Sequence, residues 1–365
     1  MIAALVFALS ALPLAFSSTI QAPYERKSAP CTTKSVRKSW NDLTAAEKQG
    51  YLDADLCLMS STPKSGIPGA QSRWDELQYT HAAQARYIHG VGAFLPFHRY
   101  FVTVHDHLLR NECNYTGPLP YWDEPFDVGN ISASSLFSGE PSFGGNGTGP
   151  DHCISDGPFV NVTLRINENL TTTEYCISRF LNDGALAGAA PATIRGCLQQ
   201  ANYTGIWSCL EGRPHGAGHG GVSGTMMNLL LSPGDPVFYL HHGYLDRVWW
   251  EWQSRDLSTR LVEIAGNNTP SNFGFPPGGG FNFTGPPPFG GGNGTGLPPF
   301  FGGGPGGGFN FTTPKANHAI EDYFFDGGNV TTLNHTLWSA GIMENVTIAD
   351  VMNAEDGFVC GDYSL

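Results

Sequence analysis

Residues 211–221, EGRPHGAGHGG, and residues 232–253, SPGDPVFYLHHGYLDRVWWEWQ, carry four of the chain's twelve histidines and decide what kind of protein this is. His215 and His219 stand four residues apart, which sets both rings on one helix face, one turn apart. The glycines around them weaken that helix and leave its limits open. Pro233-Gly234 marks a turn, and an aromatic, apolar helix follows over Pro236–Arg255. On that helix His242 and Asp246 are again four apart, so Asp246 can orient an imidazole or its neighbours. An H-x-x-x-H pair alone is as often a surface feature of a Gly-rich loop. A third histidine, one of His241 and His242, tips the reading towards a metal site with an open position.

A second group, His81, His89 and His98, lies more than a hundred residues upstream. On one straight helix His89 and His98 would face opposite ways. The segment HGVGAFLPFHRYF (89–101) instead places Gly90, Gly92 and Pro96 between them. One helix should end near His89 and another begin near Phe97, and that corner can aim all three rings at one point. Two triads imply two ions, and all-imidazole ligation suits copper, zinc, iron or nickel better than magnesium or calcium.

HGVGAFLPFHRYF, LRNECNYTGPLPYWDEPFD (109–127) and DPVFYLHHGYLD (235–246) resemble the copper-A and copper-B signatures of the tyrosinase family. That family includes catechol oxidases and, more distantly, hemocyanins. LNHTLWSAGIMENVTIADVMNAEDGFVC (333–360) is similar to the C-terminal end of the short secreted fungal members. The likeness runs from about Cys31 to Cys360, broken by one low-complexity insert. It implies a type-3 centre of two copper ions that binds dioxygen. By the same resemblance His81, His89 and His98 hold one ion, and His215, His219 and His242 hold the other. His241 falls on the adjacent non-coordinating position. Glu211 matches a glutamate that holds a catalytic water in tyrosinases, although a carboxylate favoured by a helix N-terminus is an equally good account of it. Gly216 stands where the partner asparagine of that water would be. Tyr87 replaces the cysteine that many members cross-link to the second copper-A histidine, so no such bridge is expected. The remaining His105, His107, His152, His318 and His335 have no ligand counterpart and read as solvated or hydrogen-bonded residues.

The fold expected is mainly α: a helix bundle with the dinuclear centre between facing helices, long loops and little β structure. The sequence pattern predicts helices over Thr44–Ser60, Trp74–His89, Phe97–Asn111, Thr172–Leu181, Pro191–Ala201 and Pro236–Arg255. Residues 19–266 and 313–365 make one catalytic domain. Between them, 267–312 is Gly/Pro/Phe-rich with a near-repeat, GGGFNFT, at Gly278 and Gly306; it reads as a disordered surface loop.

Residues 1–18, with an apolar run from Ile2 to Phe16, read as a signal peptide. Thirteen Asn-x-Ser/Thr sequons point to a secreted glycoprotein: Asn114, Asn130, Asn146, Asn161, Asn169, Asn202, Asn267, Asn282, Asn293, Asn310, Asn329, Asn334 and Asn345. Eight cysteines fit four disulfides, and the sequence does not choose among the pairings. A net charge of −13 with 19 Lys plus Arg argues against nucleic-acid or anionic-membrane partners. The partners expected are dioxygen and a small phenol.

The leading function is a secreted copper oxidase that turns o-diphenols into o-quinones, with o-aminophenols and some monophenols as further substrates. The alternatives are a tyrosinase proper with strong monophenol hydroxylation, a hemocyanin-like dioxygen carrier, and a dinuclear zinc or iron hydrolase. The hydrolase lacks the bridging Asp or Glu its chemistry would need. Catechol-dependent oxygen uptake separates an oxidase from a carrier.

Overall fold

The computed structural model describes residues 31–268 and 329–363. The signal segment 1–18, most of the insert, His318 and the sequons at Asn282, Asn293 and Asn310 lie outside the described residues.

Helix α1 (Ala45–Ser60) opens with Thr44, whose hydroxyl accepts the Glu47 N–H while the Glu47 carboxylate accepts the Thr44 N–H. Ser72 and Asp75 form the same reciprocal cap at α2 (Arg73–Ile88). Helix α2 stops because His89 is already extended and Gly90 takes φ +66°, a left-handed turn that glycine makes without strain. Helix α3 (Phe94–Glu112) begins three residues earlier than the sequence pattern suggested. Pro96 falls in its first turn, where a missing N–H removes no helical bond.

Helices α4 (Asp183–Leu186), α5 (Pro191–Leu198) and α6 (Tyr203–Leu210) lead into a π turn at Glu211–His215 that holds Pro214. Then come α7 (Gly216–Val222), α8 (Val237–Ser254), α9 (Leu257–Arg260) and, near the C-terminus, α10 (Ile348–Val351). The sequence pattern does not predict helix α6. Its start is the Asn202 side chain, which accepts the Gly205 N–H, and Cys197–Cys209 ties it to α5.

The helix expected over Thr172–Leu181 is not formed. Thr172–Cys176 is a strand, β6, antiparallel to β5 (Thr163–Ile166), and Cys153–Cys176 pins its end. Its run of threonines and Tyr175 suits a pleated surface better than a helix. The other strands are short. β1 (Ser35–Ser39) lies between β2 (Leu119–Tyr121) and β9 (Gly361–Asp362), parallel to both. Two small antiparallel pairs, β3 (Gly147–Thr148) with β4 (Cys153–Ile154) and β7 (Thr336–Leu337) with β8 (Val346–Thr347), complete the set. Cys31–Cys360 and Cys57–Cys113 close the remaining disulfides.

At the centre α3 packs on α8, with α2 alongside, around an aromatic core that includes Trp40, Trp74, Trp122, Trp249 and Trp252. Asp246 of α8 lies behind this crossing. Its carboxylate accepts from Arg37 of β1, Arg99 of α3 and Tyr363, all buried. One acidic group of α8 thus joins β1, α3 and Tyr363. The chain leaves and rejoins the described body at one place: the Asn268 N–H donates to Asn329 O at 3.2 Å and the Thr331 N–H to Gly266 O at 2.7 Å.

Candidate metal centre

Helices α2 and α3 and the corner between them gather His81, His89 and His98, all buried, with ring centroids 5.1–5.7 Å apart. The π turn, α7 and α8 gather His215, His219, His241 and His242. Within each cluster, one nitrogen per ring lies within 4.8 Å of those of the others. The clusters adjoin: His98 stacks on His242 with centroids 4.1 Å apart, and His89 lies 5.8 Å from His215. Phe94 and Phe238 pack against rings of both clusters.

The backbone sets the tautomers. Nδ1 of His81 meets Leu230 O at 3.0 Å, Nδ1 of His89 meets Ala85 O at 2.8 Å, Nδ1 of His98 meets Phe94 O at 2.8 Å, and Nδ1 of His219 meets Met226 O at 2.5 Å. A carbonyl only accepts, so each Nδ1 carries the proton and each Nε2 keeps its lone pair. Nε2 of His81, His98, His215 and His219 is buried with no hydrogen-bond partner, as are both ring nitrogens of His242. So many unpaired buried nitrogens need a common partner, and a metal ion is the group that accepts lone pairs. Burial, reinforced by the neighbouring imidazoles, pushes the histidines far below their ordinary pKa, to about 3 for His89 and His219. The rings are therefore neutral, the form that ligates.

His241 differs from its neighbours. Its Nδ1 shares a hydrogen bond with Oε1 of the fully buried Glu124, whose pKa burial raises well above the ordinary carboxylate value. Gly218 leaves room for this pair, since a Cβ there would fall 2.2 Å from His241 Nδ1. Gly221 faces Leu186 and Ile131. Both glycines lie where an added Cβ would crowd a neighbouring side chain.

Glu211 sits at the first residue of the π turn, beside the corner that carries His89. Oε1 accepts the Gly90 N–H at 2.6 Å and Oε2 accepts the Trp207 indole N–H at 2.6 Å. Burial raises its pKa to about 8 against those two donors. Gly216 is half-buried at the start of α7. Asp246 touches no imidazole; it holds Arg99, the residue after His98. His105, outside both clusters, pairs with buried Asp55 at 2.9 Å. All eight cysteines are in disulfides, so none is left to bridge a histidine.

Three features had no signal in the chain's spacing: the Glu124–His241 pair, and the Leu230 and Met226 carbonyls that orient one histidine of each cluster. The first joins residues 117 positions apart, and the other two are backbone groups.

Residues 71–255 match the common central domain of tyrosinase. Tyrosinase ustQ of Aspergillus flavus is 34% identical over 258 residues, covering 67% of this chain and 71% of that protein. N-acetyl-6-hydroxytryptophan oxidase ivoB of Emericella nidulans is 30% identical over 308 residues, covering 67% of this chain and 82% of that one. A polyphenol oxidase structure from Thermothelomyces thermophila shares the fold, with a TM-score of 0.70 at 24% identity over 91% of this chain and 89% of that one. The mainly helical fold, the dicopper centre and the enzyme class expected from the sequence all hold. The chain belongs to the tyrosinase family and is a type-3 copper phenol oxidase.

Proposed function

We propose that the chain is a secreted oxidase that converts o-diphenols to o-quinones faster than it hydroxylates monophenols, with o-aminophenols as further substrates. In this reading His81, His89 and His98 hold one copper ion and His215, His219 and His242 hold the other. The bound ions supply dioxygen activation and take the substrate's electrons.

The chain's own residues do the rest. Carbonyls of Ala85, Phe94, Leu230 and Met226 hold the ring protons away from the ions. Burial keeps water from competing for the lone pairs. A catechol or phenol approaching the downstream cluster must give up a proton. What supports the preference is the pair of positions that the family resemblance gives to the water: Gly216 offers no side-chain donor or acceptor, and each oxygen of Glu211 already accepts a protein N–H. A catechol yields its first proton readily and needs no ring hydroxylation. A monophenol needs a well-placed base beside the ions, and here that base is half assembled. The name of the ivoB relative, an oxidase of a hydroxyindole, supports a range wider than simple catechols.

Secretion rests on the four disulfides, which persist in oxidising compartments, together with the sequons. Asn114, Asn130, Asn161, Asn169, Asn334 and Asn345 are exposed and open to glycan attachment.

Initial oxygen-uptake rates on monophenols, the matching catechols and o-aminophenols, without diphenol primer, test the reading. Wild type should favour catechols clearly, and Gly216→Asn should raise the monophenol rate. Comparable wild-type rates, or no gain in the variant, would overturn the role given to Gly216.

A further inference from the structure

The downstream cluster holds four imidazoles where an ion of this type uses three. His241 is in ring contact with each member of the triad: 4.7 Å from His219, 4.8 Å from His242 and 5.6 Å from His215 between centroids. Its Nε2 is buried and has no hydrogen-bond partner. Its Nδ1 is held by Glu124, whose second oxygen is itself buried and unpartnered. An imidazole with a carboxylate on the far nitrogen is the arrangement that fixes ring orientation and raises ligand basicity. His242, by contrast, has no hydrogen-bond partner on either nitrogen and is held by stacking on His98 and by Phe238. By orientation alone, His241 is the better prepared of the two. Space for the pair is built into the backbone, because at Gly218 any side chain would strike both His241 Nδ1 and Glu124 Oε1.

We propose that His241 is an auxiliary imidazole that receives the incoming copper ion at the downstream site and passes it to His215, His219 and His242. The Glu124 hydrogen bond at Nδ1 fixes the ring and leaves Nε2, which has no other partner, for the ion. The step is ligand exchange: one Nε2–metal bond breaks as that to His242 forms, and neither oxidation state nor proton count changes. At equilibrium His241 is free of the ion, which reconciles four clustered imidazoles with a three-histidine site. The proposal rests on the triad assignment made above, and its test separates the two.

The experiment loads copper-stripped full-length protein with excess copper, following uptake by quenching of tryptophan fluorescence and measuring final copper per chain. Expected for His241→Asn and for the near-isosteric Glu124→Gln is a slower uptake phase, by about tenfold or more, with the final content still at two. Glu124→Gln keeps the test decisive if His241→Asn fails to fold. Uptake within about twofold of wild type in a folded Glu124→Gln variant would overturn the auxiliary role and leave the triad standing. A final content of one in His241→Asn, with two in His242→Asn, would overturn the triad assignment instead.

Discussion

Replacing Asp246 with Asn removes the one carboxylate that faces two buried guanidiniums. Arg37 lies 2.8 Å from Oδ2, Arg99 bonds Oδ1, and the Tyr363 hydroxyl also donates to Oδ2. All three charged side chains are almost wholly shielded from water. Arg99 cannot turn away, because its NH1 donates to Val351 O and Met352 O and its plane lies 3.8 Å over Trp249. The variant therefore keeps two cations in the interior without their bonded carboxylate, with Asp106 left to act on Arg37 alone. Removing one partner of a buried pair costs about 3–5 kcal/mol. At roughly 2–4 °C per kcal/mol for a domain of this general size, the melting temperature should fall by at least about 6 °C. Because Arg99 follows His98 and Asp246 lies one turn after His242, copper should also be lost more readily to a chelator. Differential scanning calorimetry with chelator titration reads both effects. Adding Arg37→Met to Asp246→Asn should recover part of the loss by removing one of those charges. A melting-temperature change under about 2 °C for the single variant would refute the reasoning.

The copper-free protein should lose stability as pH falls. Folding holds His89, His219 and His241 neutral down to about pH 3, whereas the unfolded chain protonates them below about 6.5. Stability is then fully present above that value and falls towards pH 3 by up to about 1.4 kcal/mol per pH unit for each ring. Melting curves of apoprotein across that range check this, and a flat profile would contradict the buried neutral rings. Replacing the insert, residues 267–312, with a short Gly-Ser linker should leave copper content and catechol turnover nearly intact, since it carries no His, Cys or acidic residue. Loss of folding would mean that the phenylalanines of the insert pack on the core. Gly218→Ala should disturb His241 and Glu124 and slow copper uptake as Glu124→Gln does, which the fluorescence assay above reads; uptake at the wild-type rate would contradict the close approach at Gly218.

What was legible in the chain was whatever a short window carries. His215 and His219 are one helical turn apart, and the downstream helix announces itself through its aromatic face. The upstream triad needed its Gly90–Pro96 corner to be read as a break between helices; only its second helix starts earlier, because proline is harmless in a first turn. Thr172–Cys176 misled because strand or helix there is decided by pairing with β5 and a disulfide, both tertiary. Helix α6 was missed because Asn202-Tyr203-Thr204 reads as a glycosylation signal while Asn202 also caps a helix. The four-residue spacing of His242 and Asp246 suggests a local pair, yet the partners of Asp246 come from three distant segments. The π turn that brings Glu211 against Gly90 likewise depends on contacts 121 residues apart.

The central claim is that two buried histidine triads each hold one copper ion. Copper per chain, measured by mass spectrometry on fully loaded protein, tests it most directly when wild type is set beside His242→Ala, His241→Ala and His98→Ala. The account predicts two ions in wild type and His241→Ala, and one in each of the other variants. Two ions in His242→Ala with one in His241→Ala would contradict it.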